Sequence, residues 1–335
     1  MPQSGPYARQ SRAGRRVIVS RPPPRQMDIA QLGSMMRGQP RQVSMLGSRP
    51  SSRQMPQMMR PRGMSKIAPR LIIALVLALV AIVGYMNKSS INPLTGEKQH
   101  ISLTPDQEIQ LGFQAAPQLI AQHHGVARSN PQGQAIVEQV GKKLVGAMQE
   151  LHAGHENIWP FSFTLLEDDN VVNAFALPGG NTYITEALYN RLETEGQLAG
   201  VFGHEIGHVV HRHGAQRIAK QELTQGLTGA AVIAGGSQQS AQFAAMLGNL
   251  INMKYGRGDE LESDMYGVEI MAKAGYDPRS MVRVMEILAE SSGGGSRPPE
   301  FASTHPNPEN RIQRIREKIK ELYPDERVLD AMVQE

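Results

Sequence analysis

From Leu71 to Met86 the chain runs for sixteen residues without one charged side chain. A helix that is apolar on every side has no face to offer water, so it does not lie on the surface of a soluble domain. Sixteen residues fall short of the roughly 20 that span a bilayer. Ile67 and Ala68 lengthen the stretch if Arg70 snorkels to the interface, and Asn87 and Lys88 end it on the far side. About 70 residues precede it, and Gly84-Tyr85-Met86-Asn87-Lys88-Ser89 offers no small-x-small cleavage site. The expectation is an uncleaved transmembrane anchor over residues 67–88.

This segment divides the charge. The chain as a whole is +4, but its first 70 residues contain 14 Lys and Arg against a single acid, Asp28. The rest of the chain carries 21 basic and 30 acidic residues, a net charge of −9. The first 70 residues also hold 10 prolines and 9 of the 18 methionines, a composition that cannot bury a core, so residues 1–66 read as a disordered basic tail. Its basic residues are scattered singly and Tyr7 is its only aromatic, so no nucleic-acid partner is expected. The positive excess before the anchor places the N-terminus in the cytoplasm and everything after residue 88 across the membrane. There is no cysteine, hence no disulfide and no thiolate chemistry.

His204-Glu205-Ile206-Gly207-His208 concentrates the chemistry. Two histidines four apart on a helix stack one turn above the other and can reach a single ion, and neutral imidazole suits zinc. Glu205 stands one step off that stripe, beside the metal, where a carboxylate can take a proton from a zinc-bound water. Thr194 with Gln197 caps the expected helix, Leu198, Val201, Phe202, Ile206 and Val209 form its apolar stripe, and Gly214 can close it. Fifty-two residues after His208, Glu260 and Asp264 share a face of a second helical pattern. One can bind the ion while the other orients a histidine ring; acids in a first turn are also ordinary helix-dipole partners.

Around these, Thr104-Pro105 and Asn130-Pro131 start helices. Residues 161–184 change to a period of two, interrupted by Asp168-Asp169-Asn170 and Pro178-Gly179-Gly180, which reads as a small antiparallel sheet just before the motif helix. An edge strand there could pair with an extended substrate, or merely cover the core. His123, His124, His152 and His155 read as solvated loop residues. His211 lies seven residues from His204, about 10.5 Å of rise, too far to share one zinc. Residues 215–253 hold a helical pattern interrupted at Gly235-Gly236, with a small-residue run too short to cross a membrane. Gly275 caps the Glu260 helix, Asp277-Pro278 begins another, and Ser291–Pro299 reads as a loop. His305, in Thr304-His305-Pro306, can stabilise an oxyanion, cap the open zinc position, or sit in a turn.

The HEIGH motif, the later Glu-x-x-x-Asp, and Asn173-Ala174-Phe175-Ala176-Leu177-Pro178-Gly179-Gly180 together resemble the zinc endopeptidase family of the CaaX prenyl protease and the HtpX-type proteases. The resemblance extends to its bacterial periplasmic branch, which includes the beta-barrel assembly-enhancing protease. It covers roughly residues 104–320. It implies metal ligands at His204, His208 and Glu260, a general base at Glu205, and one zinc per chain. Thr304-His305-Pro306 matches a late family segment, and Ser263 stands where the family commonly has alanine. The expected fold is α+β and mostly helical, a gluzincin-like peptidase domain with the small sheet preceding the HExxH helix. The expected division is a tail over 1–66, an anchor over 67–88, a linker over 89–103, a zinc metallopeptidase domain over 104–325 and a C-terminal tail over 326–335. On this basis the chain is a membrane-anchored zinc endopeptidase acting on extracytoplasmic polypeptides. Asp264 orients a ligand, and His305 is the remaining site candidate. The expected location is the bacterial inner membrane with the catalytic domain periplasmic; the alternative is the mitochondrial inner membrane, facing the intermembrane space. The competing class is a membrane-tethered holdase with a structural zinc.

Overall fold

The structure is a computed structural model that describes residues 67–235, 256–292, 300–305, 310–325 and 327–330. The basic tail, the Gly/Ser/Pro loop from 293 to 299 and the C-terminal residues after 330 lie outside the described residues, as does the part of the 215–253 pattern beyond Gly235.

Helix α1 (Ile67–Asn87) is the apolar segment, and its stretch Pro69–Asn87 is long and apolar enough to cross a membrane. The segment expected as a linker is built into the domain. Strands β1 (Ser89–Ile91) and β2 (Lys98–His100) form an antiparallel hairpin. Asn92 Nδ2 donates to the carbonyl of Val210 at 2.7 Å, and Gln99 Nε2 donates to that of His211 at 2.9 Å. These are among the carbonyls that a helix leaves unpaired at its C-terminal end, so the hairpin docks where hydrogen bonds are owed.

Helix α2 (Pro105–Gln122) starts with a capping box: Thr104 Oγ1 accepts from the Gln107 N–H, and Gln107 Oε1 accepts from the Thr104 N–H. In α3 (Pro131–Leu151) Asn130 caps Gly133 N–H, and Val137, Val140, Leu144 and Met148 are buried at helical spacing. The sheet is built from β3 (Ser162–Leu166), β4 (Ala174–Ala176) and β5 (Asn181–Thr185), in the order β3-β5-β4. It is mixed rather than wholly antiparallel. The β4–β5 hairpin is antiparallel, but β5 lies between its partners and runs parallel to β3. Alternation along each strand fixes faces, not neighbours, so it does not carry the strand order. Gly179 and Gly180, both at positive φ, make the hairpin turn.

After α4 (Glu186–Tyr189), helix α5 (Glu195–Val210) forms the centre of the core. Every residue from Gly196 to Val210 is buried. Gly214 does not close it. Arg212 takes the left-handed conformation (φ 55°), held there by its buried guanidinium, which donates to Glu108 and to the carbonyl of Leu103. Helix α6 (His213–Gly235) then runs back along α1. The remaining elements are α7 (Arg257–Lys273), α8 (Arg279–Ser292), α9 (Glu300–Thr304), α10 (Arg311–Leu322) and α11 (Arg327–Asp330). Helix α7 begins one turn before Glu260, with Asp259 accepting from Gly256 N–H. It packs across α5, and α3, α8 and β4 close the rest of the α5 surface.

Candidate metal centre

Helices α5 and α7 cross at glycines. The Cβ of an alanine at 207 would stand 2.8 Å from the Cα of Ser263, so only hydrogen fits there. This close approach carries Glu260 and Asp264 of α7 to the histidines of α5. His204 Nδ1 lies 2.8 Å from Asp264 Oδ1, and a carboxylate can only accept, so Nδ1 carries the hydrogen and Nε2 a lone pair. His208 Nδ1 lies 2.9 Å from His213 Nδ1, whose ring meets the Glu262 carboxylate through Nε2 at 2.8 Å. His213 therefore accepts at Nδ1, and His208 Nε2 is also left with a lone pair.

Those two Nε2 atoms face each other at 3.0 Å. Lone pairs so close repel unless a cation lies beside them. Glu260 completes the set: its oxygens are 3.5 Å from His204 Nε2 and 3.5 Å from His208 Nε2. Donors at about 2.0–2.1 Å from a tetrahedral zinc stand roughly 3.3 Å apart, which matches these spacings. His305 occupies the fourth corner, its Nδ1 3.2 Å from His204 Nε2 and 3.2 Å from Glu260 Oε1. All four residues are buried, and their donor atoms lie within 4.8 Å of one another. The electrostatics point the same way. Burial opposes charge on His204, yet with no metal in place the Asp264 and Glu260 carboxylates override it and push the imidazole up to about 9, so the site favours a positive charge at Nε2, which a proton supplies when a metal ion does not. Glu205 is 1% exposed, and among the described residues its Oε1 makes no hydrogen bond, with His305 Nε2 facing it at 3.6 Å.

Arg311, on α10, is a site residue that the sequence does not single out. It is 1% exposed and grips Asp264 with Nε and Nη2, each at 2.6 Å, while its Nη1 lies 3.2 Å from Glu260. Its place in a basic helical run gives no signal of this. His213 lies outside the four-residue cluster, its Nδ1 2.9 Å from His208 Nδ1. His211 lies outside the cluster, between Glu97 and Glu262. His123 and His152 are partnered elsewhere, with Asp168 and Tyr266. His305 is not a solvated loop residue: it is buried at the end of α9 with its ring stacked on Phe301 at 4.4 Å.

Residues 131–319 match Peptidase family M48. The chain belongs to that family. M48 enzymes are zinc metalloendopeptidases, and the buried His204, His208 and Glu260 are consistent with the family's metal site. Among curated relatives, the Beta-barrel assembly-enhancing protease of Escherichia coli (strain K12) is 31% identical over 264 residues, 76% of this chain and 52% of the relative. That of Yersinia pestis is 30% identical over 251 residues, 72% of this chain and 50% of the relative. The Mitochondrial metalloendopeptidase OMA1 of Schizosaccharomyces pombe is 33% identical over 155 residues, 46% of this chain and 45% of the relative. The chain thus spans about half the length of the curated relatives it matches.

Proposed function

We propose that this M48 peptidase is a membrane-anchored endopeptidase that binds one zinc ion and hydrolyses extracytoplasmic polypeptides, among them misfolded or envelope proteins. The observation that carries this is the convergence of His204 Nε2, His208 Nε2 and the Glu260 carboxylate, with the buried Glu205 carboxylate reaching the same cluster 3.6 Å from His305 Nε2. Zinc held there would polarise the scissile carbonyl and acidify a water. Glu205 takes a proton from the attacking water on its carboxylate and returns it to the leaving amine. Asp264, clamped by Arg311, holds the His204 ring in the tautomer that leaves Nε2 free. The His213–Glu262 pair does the same for His208.

Strand β4 is an edge of the sheet, and its end at Ala176, with Leu177 and Pro178 after it, lies beside the ligand candidate His208. An extended peptide added along β4 would run past the metal ligands. His305 stands at the corner that water and substrate need; on this reading it fills that corner at rest and withdraws when substrate enters, the other roles open to it being oxyanion donor and packing residue.

Purified full-length protein loaded with zinc should cleave an unfolded substrate such as casein, and Glu205→Gln should abolish cleavage with zinc content unchanged. Equal cleavage by both forms would remove Glu205 from the mechanism; no cleavage by either, with casein kept soluble by both, would favour a holdase. The proposed orientation puts residues 89–335 outside the cytoplasm. Protease added to intact spheroplasts should then degrade the domain, and protection of it would reverse the topology.

A further inference from the structure

Helix α6 leaves the metal centre at His213 and runs antiparallel to α1. Near the start of this contact Lys88 pairs with Glu222. One turn on, a Cβ built on Gly226 would stand 2.8 Å from the Cβ of Ala81, so the two backbones approach as closely as small residues permit. Contact continues along a groove lined by Leu77, Ala81, Gly84, Gly226, Ala230 and Ile233. From Gly226 to the end of α6 is nine residues, about 13.5 Å of rise, and nine residues back along α1 from Ala81 is Ile72. Helix α6 therefore follows α1 through most of its apolar length.

Its composition changes at the point where that would matter. Glu222 is the last charged residue of α6, and none follows before Lys254. Beyond Glu222, Leu227 and Val232, on opposite flanks of α6, are each 36% exposed, and Ile233 at the edge of the groove is 39% exposed. Thr224 donates its hydroxyl back to the carbonyl of Lys220 at 2.8 Å, which satisfies it without water. Single exposed apolar residues are ordinary on a water-facing helix. Here they lie level with Leu75 (70% exposed) and Leu79 (58%), the faces by which α1 would meet lipid. Acyl chains that surround α1 to that depth must also meet a helix flush against it.

We propose that α6, from Leu223 to Gly235, is buried in the same bilayer as α1. It enters from the side of the domain. This rests on the reading of α1 as a membrane anchor. A single anchor followed by a flexible linker would let the domain drift from the surface. Two apolar helices, the second continuous with the ligand-bearing helix through one turn, hold the metal centre at a set height. From Glu222, at the lipid boundary beside Lys88, to His213 is nine residues, about 13.5 Å. The substrates this geometry suits are polypeptides lying on or emerging from the membrane.

The absence of native cysteine makes the test direct. Leu75→Cys, Lys220→Cys and Ile233→Cys are each labelled with an environment-sensitive fluorophore on the full chain in phosphatidylcholine vesicles containing brominated lipid. Zinc content serves as the check on folding. The Ile233→Cys label should lose most of its emission to the bromines, as the Leu75→Cys label does, while the Lys220→Cys label keeps its own. Quenching at Leu75→Cys with none at Ile233→Cys would overturn the proposal and leave the anchor standing. No quenching at either site would overturn the anchor, and the inference with it.

Discussion

Gly203 and Gly267 meet across the α5–α7 crossing so closely that a Cβ on Gly203 would stand 3.1 Å from the Cα of Gly267. One turn along, Gly207 meets Ser263 more tightly still, at 2.8 Å. Each contact lies one residue from a metal-ligand candidate, His204 or His208, so helix separation and donor separation are one variable. Gly207→Ala should force the helices apart, lowering stability by about 1–3 kcal/mol and weakening zinc retention against a chelator. Ser263→Ala removes only a hydroxyl 3.3 Å from His213 Nδ1 and should retain zinc nearly as the parent does. Equal zinc retention in the two variants would detach the crossing from the site.

Asp264 takes a bond from His204 and two from Arg311, and all three groups are buried. Its loss should act through ring orientation rather than by removing a ligand. Asp264→Asn is expected to lower zinc affinity by about 10–100-fold, measured by competition with a fluorescent chelator. Unchanged affinity would make the contact structural only.

For His305 the two active roles predict opposite signs. If it fills the fourth corner at rest, His305→Ala should raise the rate of casein cleavage at equal zinc content. A fall in kcat of about 10²-fold or more would instead mark it as an oxyanion donor, and no change would leave it a packing residue on Phe301.

Glu108 and Arg212 form a buried pair at the turn between α5 and α6. Truncating the acid leaves a guanidinium without its counter-charge at a left-handed residue. Glu108→Ala should cost about 3–5 kcal/mol, read from denaturant unfolding. A loss below about 1 kcal/mol would mean that water reaches the charge.

Much of this protein is local, and the local part is legible in the order of its residues. A charge-free run, a His-x-x-x-His spacing, and caps at Thr104, Asn130 and Thr194 act within a few residues, so the sequence alone determines them. The Glu260–Asp264 face is visible too, although the helical spacing does not say which acid meets the ion and which the ring. What the tertiary structure decided involves groups brought together from far apart in the chain. Arg311 reaches Asp264 across 47 residues, and Arg212 reaches Glu108 across 104. Asn92 caps Val210 across 118, which turns an expected linker into part of the domain. The parallel pairing of β3 with β5 and the docking of α6 on α1 belong to the same class. Each depends on which surfaces remain to be buried once the helices have formed, and neither hydrophobic period nor residue spacing carries that information.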